Sequence, residues 1–469
     1  MRQRILESAT HALWIAATLL SACGGSTAIT DGGALDSTTS ADAFSPAGDG
    51  ASSPLDGGAS DATTSADLTP VTGGAMTIGE WTDAPGACPS GVPRVDITTG
   101  AQLASASRGE DAYVNDAPGT CYFIHNGTYA NGNAIFYVLK GGVVGGARRY
   151  FIGESRSGVV INGRGTIEDG VTTVTISNLT FDLTGYSHSG SFNTLGFNMV
   201  KDIIVDHVTF TGDCKTGSTG AHLEFDNGAD GVLIDSCIIE KFGNCNGDRT
   251  SSATTNGHLD HGVYISGCKN VTIRNSVIRG NSSRGIQMYT QGGQYGTDDQ
   301  ILIERNRIYE NGHGNYEDGA VINASGTGPI THVTMRHNLI YRNYYSGVRF
   351  AGGLESTVLI TNNTFDGNGA GSTSASRSEI NIDDVGGGSG TSIVSNIFNI
   401  GNTLINDCYD GTTLGFSIGA NFVHGSVPSG ATGNCVAAQS MGDPQFVNAA
   451  AADYHPQNTA AASFGAYAP

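Results

Sequence analysis

The strongest constraint in this chain is one strand pattern that recurs eight times. The copies are VTISNLTF (174–181), IIVDHVTF (203–210), VLIDSCII (232–239), VTIRNSVI (271–278), ILIERNRI (301–308), VTMRHNLI (333–340), VLITNNTF (358–365) and TSIVSNIF (391–398). Each alternates apolar and polar residues, the period of a half-buried strand. The sixth position reads Leu179, Val208, Cys237, Ser276, Asn306, Asn338, Asn363 and Asn396, at spacings of 25 to 39 residues. A period in this range means coils stacked into a solenoid. Inward asparagines at one corner predict a ladder of side chains that satisfies the turn backbone. A sandwich would need tight hairpins, and no copy is joined to the next by a two-residue Asn-Gly or Asp-Gly turn.

A second strand set lies between these: GFNMV (196–200), HLEFD (222–226), GVYIS (262–266), GIQMY (285–289), GAVIN (319–323), GVRFA (347–351) and EINID (379–383). Each coil therefore has at least two strands, with loops of variable length between them. Glycine is abundant, 69 of 469 residues, but without a Gly-X-Y period, which excludes collagen.

The N-terminus reads as an address. Arg2 and Arg4 precede the apolar run Ala12–Leu20, which is too short to span a bilayer. Leu20-Ser21-Ala22-Cys23 resembles a bacterial lipobox, which implies removal of residues 1–22 and lipidation of Cys23. The expected place is the bacterial cell envelope, the outer membrane or cell surface. Residues 23–75 hold seven Asp and no Lys or Arg among Gly, Ser, Thr and Ala, the composition of a self-repelling tether. The formal charge is −20; subtracting +1 for residues 1–22 and −7 for 23–75 leaves −14 on the remainder. That argues against nucleic acid as a partner. It leaves room for an anionic polysaccharide where local cations offset the field. The remaining divisions are 76–150 for a cap and first coil, 151–400 for the solenoid and 401–469 for a last coil and closing segment. A monomer is expected.

Eight cysteines follow Cys23, and an even number in an exported chain suggests disulfides. Cys88 and Cys121 bracket the start of the folded region, and Cys408 and Cys435 its end. Cys214 and Cys245 follow equivalent strands of successive coils, where a bridge fits. Cys237 and Cys268 stay unassigned. No CxxC or Cys/His pair has ligand spacing.

The pattern HGVYIS…NVTIRNSVIRGNSSRGIQM resembles the right-handed parallel β-helix repeat proteins of the pectin-lyase-like fold. The resemblance covers about residues 150 to 400. It implies an all-β, right-handed, single-stranded parallel β-helix. CYFIHNGTY (121–129) looks like the first coil of such proteins, and GDPQFVNAAAADYHPQ (442–457) like their closing segment. The group includes lyases, epimerases, hydrolases and proteins without catalysis, so activity must be argued from the site.

Outward residues of the second strand set form rows, with coils roughly 4.8 Å apart. The expected middle row is Asn198, Glu224, Tyr264, Gln287, Val321, Arg349 and Asn381. The row two residues on begins Val200, Asp226, Ser266 and Tyr289. The row before the strands reads Leu195, Ala221, His261, Arg284, Asp318, Ser346 and Ser378. Abstraction of a proton next to a uronate carboxylate needs a base, a cation for the carboxylate and an acid for the leaving oxygen. His261 is the candidate base, Arg284 the neutraliser and Tyr264 the acid or auxiliary base. Glu224, Gln287, Tyr289, Arg349, His258 and Asp260 are candidate substrate contacts. Asp226 and Asp318 are candidate ligands for Ca²⁺, the one cofactor considered. The inserts 243–257 and 292–299 are expected to wall the face into a groove. The leading expectation is a lyase or epimerase acting on an acidic polysaccharide. The alternative is a non-catalytic carbohydrate-binding or cell-surface protein on the same scaffold. A polygalacturonase-like hydrolase fits less well, because Asp383-Asp384 is the sole paired carboxylate on the strand face and stands coils away.

Overall fold

A computed structural model describes residues 78–79, 81, 83–130, 136–185, 191–214, 219–243, 245, 260–290, 296–312, 318–323, 328–351, 355–369, 378–383, 390–400, 405–406, 416–425 and 440–469. Cys23, His258, Asp384, Cys408 and Cys435 lie outside these residues. The strands form three long sheets of 12, 10 and 12 members, each paired in parallel with the coil before and the coil after. Each coil crosses the three sheets in turn. This is the parallel β-solenoid that the repeat predicts.

The recurring eight-residue segment is two strands, where the alternation suggests one. VTIRNSVI divides into Lys269–Arg274 in the first sheet and Val277–Arg279 in the third. Between them Asn275 takes a left-handed φ of 50°. Asn178, His207, Ser236, Arg305, His337, Asn362 and Ser395 do the same in their coils. The short polar Asn residues tolerate this backbone state best, whereas His207, Arg305 and His337 adopt it as single residues at a cost that the repeated turn of the coil imposes. The next residue then points inward. Asn306 donates to Asn338, Asn338 to Asn363, Asn363 to Asn396 and Asn396 to Asn421, with Nδ2–Oδ1 distances of 2.8 to 3.1 Å. The expected ladder therefore exists.

Apolar rows fill the interior. Val174, Ile203, Val232, Val271, Ile301, Val333 and Val358 stand in register and are buried. Phe181 and Phe210 stack with centroids 5.3 Å apart, and Phe197 and Phe225 at 4.7 Å. Each such side chain contributes about 1.5–3 kcal/mol on burial.

The stack begins earlier than the Cys121–Tyr129 segment suggests. Arg94–Ile97 pairs with Cys121–Ile124 as the first strand of the first sheet. The helix Gly100–Arg108 follows and puts Leu103 and Ala106 against the open end of the core. Thr99 and Gln102 form its capping box, and Gly109 ends it at φ 64°. Cys88–Cys121 and Cys214–Cys245 are disulfides, whereas Cys237 and Cys268 are free and buried.

The closing segment forms an antiparallel pair, Phe446–Asn448 with Asp453–Pro456. It lies along the side of earlier coils. The Tyr454 hydroxyl donates to Asp366 Oδ2 at 2.9 Å, and Gly465 N–H donates to the Ser395 carbonyl at 2.9 Å. No helix among the described residues is long and apolar enough to cross a membrane.

Candidate functional site

The second sheet carries the candidate residues. Its middle row reads Gly196, Glu224, Tyr264, Gln287, Val321, Arg349 and Asn381. Asn198, expected in this row, pairs with Asp226 instead, and Asn193, not Leu195, pairs with Ala221. The sequence alignment runs two residues late in this one coil. The strand covers Ser191–Asn198, Met199 then turns at φ 49°, and Val200 is buried in the core. From Glu224 onward the expected register holds.

The preceding row is His261, Arg284, Asp318 and Ser346, each followed by a glycine. Gly262 N–H donates to the Arg284 carbonyl at 2.9 Å, Gly285 to Asp318 at 3.3 Å and Gly319 to Ser346 at 2.8 Å. In a straight strand residues three apart face opposite ways. In these coils they nonetheless meet across the glycine. The rings of His261 and Tyr264 stack 5.9 Å apart, 13° from parallel. One coil on, Arg284 Nη1 donates to Gln287 Oε1 at 2.9 Å. Further along, the Ser346 hydroxyl donates to Asp318, and Arg349 Nη1 stands 4.0 Å from Asp318 Oδ2. Tyr289 lies beside Tyr264, with ring centroids 6.4 Å apart.

These side chains are less open than an outward row implies. His261 is 2% exposed, Arg284 9% and Gln287 4%, and Asp260 and Asp318 are buried. His261 is the second residue of the strand Asp260–Ile265, and Arg284 precedes the strand Ile286–Tyr289. Tyr264, Tyr289, Glu224 and Asp226 are half-buried.

The electrostatics keep protons on the site. Burial, then the neighbouring Asp226, pushes the Glu224 carboxyl up to about 7, against a hydrogen bond from Asn193. Burial also raises Asp226 to about 6, although Asn227 N–H donates to it at 3.0 Å. The Tyr264 phenol is raised well above its ordinary range, mainly by burial and further by Asp226 and Glu224. It therefore stays an O–H, which suits a proton donor better than an auxiliary base.

Asp226 and Asp318 do not come together. Asp226 ends the strand Thr219–Asp226, while Asp318 precedes Ala320–Asn323, three strands away in the same sheet. Among the described residues no group of three or more His, Cys, Asp or Glu side chains is arranged to hold a metal ion.

Three features escape the row analysis. Asn193 braces Glu224 from the preceding strand. Asp298, buried on the first sheet, accepts from Cys268 N–H at 2.9 Å and is raised to about 7, mainly by burial and also by Asp226. No periodic signal marks it, because it belongs to another sheet. The third is a second ladder in which Asn281 donates to Asn311, Asn311 to Asn343 and Asn343 to Asn368, at 2.9 to 3.1 Å. Its signal is present in the sequence: Asn311, Asn343 and Asn368 each follow a first-ladder asparagine by five residues.

The family model for the right-handed beta helix region matches residues 148–398. No curated protein matches the chain. Among solved structures, the chain is similar to the A-module of the Azotobacter vinelandii mannuronan C-5 epimerase AlgE6, at 16% identity over 74% of this chain and 96% of that one, with a TM-score of 0.39. It is similar to the pectate lyase Pel9A at 14% identity, over 71% of this chain and 76% of that one, with a TM-score of 0.35. It is also similar to an alginate lyase from Paenibacillus sp. str. FPU-7 at 14% identity, over 74% and 97% of the two chains, with a TM-score of 0.32. The family match spans more than half of the 469 residues and coincides with the stacked coils, and the chain belongs to the right-handed β-helix family.

Proposed function

We propose that the second sheet binds an acidic polysaccharide and abstracts the proton next to a uronate carboxylate, as a lyase or an epimerase does. The observation that carries this reading is the His261–Tyr264 stack set one coil from the Arg284–Gln287 pair. The imidazole takes the proton. Arg284 and Arg349 draw charge from the substrate carboxylate. The Tyr264 phenol gives a proton to the leaving glycosidic oxygen in a lyase, or back to the ring carbon in an epimerase. Tyr289 offers a sugar a ring face with a polar tip.

The experiment is a panel of pectate, alginate and glycosaminoglycans in D₂O. Absorbance of the unsaturated uronate reports elimination, and deuterium at the uronate carbon reports epimerisation. His261→Ala should abolish either signal and leave binding largely intact. A second reading, carbohydrate binding without catalysis, draws on the near-complete burial of His261. It is selected if the panel shows binding and neither signal. Binding to none of these glycans sinks both.

We also propose that the protein is held at the bacterial envelope by a lipid on Cys23. Cys23→Ser should move it out of the membrane fraction, and continued retention there rejects the anchor.

A further inference from the structure

We infer that the second asparagine ladder is the positioning frame of the candidate site, with Asn311 acting through Arg284 and His261. The inference rests on the function proposed above, and it starts from the glycines. A Cβ on Gly262 would lie 2.8 Å from Asn281 Nδ2, one on Gly285 2.8 Å from Asn311 Nδ2, one on Gly319 2.5 Å from Asn343 Nδ2 and one on Gly347 3.0 Å from Asn368 Nδ2. In four successive coils a ladder carboxamide thus fills the space where the corner residue has no side chain. The residue before each glycine is His261, Arg284, Asp318 or Ser346, the row that carries the proposed chemistry.

The same glycines tie the row together. Gly262, Gly285 and Gly319 donate their N–H groups to the carbonyls of Arg284, Asp318 and Ser346. Moving one carboxamide therefore moves a corner, and moving a corner moves the group that would meet substrate. The fifth coil shows how the frame ends. Glu379, in register after the Ser346–Ser378 pair, takes the place of the glycine, and its Oε2 accepts from Asn368 Nδ2 at 2.6 Å where a next asparagine would.

The first ladder supplies a matched control within the same coil. Asn306 N–H and Nδ2 both donate to Asn338 Oδ1, at 2.9 and 3.1 Å, and Nδ2 also donates to the Ile273 carbonyl at 2.9 Å. Asn311 makes the same three bonds, to Asn343 Oδ1 at 3.1 and 3.1 Å and to the Ile278 carbonyl at 3.0 Å. Both residues are buried. They differ in the corner they hold.

The test compares Asn311→Ala with Asn306→Ala in the full chain, below both melting points. Matched losses of Tm are expected. kcat on the uronan that wild type turns over should fall by about 10²-fold for Asn311→Ala, the scale of an ångström-size misplacement. KM should change little, and Asn306→Ala should keep wild-type kcat. A second readout needs no turnover: the His261 Cε1–H resonance, assigned by its loss in His261→Gln, should shift in Asn311→Ala and stay in place in Asn306→Ala. If an alanine variant fails to fold, the pair Asn311→Ser and Asn306→Ser replaces it. Ser276 already serves as a rung in the first ladder, accepting from Cys237 N–H at 3.1 Å. Equal rates and equal His261 resonances in the two variants overturn the inference. If wild type turns over no uronan, the proposed function fails, and the resonance alone decides the frame.

Discussion

The imidazole of His261 lies against the phenol of Tyr264, ring centroids 5.9 Å apart and planes 13° from parallel, although the two are three residues apart in one strand. Gly262 stands between them in the strand Asp260–Ile265. Tyr264 is held as a neutral phenol by its burial and by the carboxyls of Asp226 and Glu224, which is the state the proposed role of proton donor requires. Tyr264→Phe keeps the stack and removes the proton. It should lower kcat by about 10²–10⁴-fold, the usual worth of a positioned acid. Polysaccharide binding should persist. Initial rates and a binding isotherm check this, and unchanged turnover would remove Tyr264 from the chemistry.

Binding of an acidic glycan should strengthen as the pH falls from 8 to 5. Glu224 and Asp226 are raised to about 7 and about 6 and stand two residues apart on one strand of the second sheet. Each is charged above its value and repels the ligand, and each is neutral below it. Glu224→Gln should flatten the upper part of the profile. Isotherms at several pH values test this, and affinity that falls on acidification contradicts it.

Arg349→Ala should weaken glycan binding, and more so at low salt. The Arg349 side chain is 26% exposed against 9% for the residue Arg284, which already donates to Gln287. Exposed charges act most strongly where screening is weak, the Debye length being about 30 Å at 0.01 M and about 10 Å at 0.1 M. A loss of affinity that ignores salt would mean that Arg349 acts by shape.

Glu379→Gln should stabilise the protein at pH 8 to 9. Burial, with Asp366 adding to it, raises the Glu379 carboxyl to about 8 against hydrogen bonds from Asn368. An acid raised in the folded state contributes stability that is full below its unfolded value, about 4.3. That contribution is lost as pH rises through the folded value. Glutamine carries no charge and keeps the accepting oxygen. Its melting temperature should exceed that of wild type most clearly near pH 8 to 9 and converge with it toward pH 4. A constant difference at every pH would point to packing instead.

Asn338→Ala should cost about 1–3 kcal/mol, the penalty of unmet buried hydrogen bonds. Lys201→Ala, at an exposed position that opens its strand, is the control. Glu304, which the alternation marks as outward, is unsuitable: it is buried and paired with Arg336 at 2.7 Å. Equal denaturant midpoints for Asn338→Ala and Lys201→Ala would break the link between the ladder and stability.

What the chain states by itself is periodic. The coil repeat, the inward valines and isoleucines and the ladder from Asn306 to Asn396 can be read directly, because every coil meets the same surroundings and repeats the same answer. The same logic makes the row from Glu224 to Arg349 legible. The second ladder was equally periodic, and the offset of five between Asn306 and Asn311 carries it. The tertiary structure decided what does not repeat. The strand Ser191–Asn198 ends level with Asp226, with Met199 and Asn227 turning in equivalent places, so Asn198 falls outside the row its spacing suggests. Asp298 feels the charge of Asp226 from another sheet, and Glu379 closes a ladder from a glycine's place. The burial of His261 and Arg284 arises only in the folded stack, and a linear pattern contains no information on what lies above a side chain once the coils have stacked.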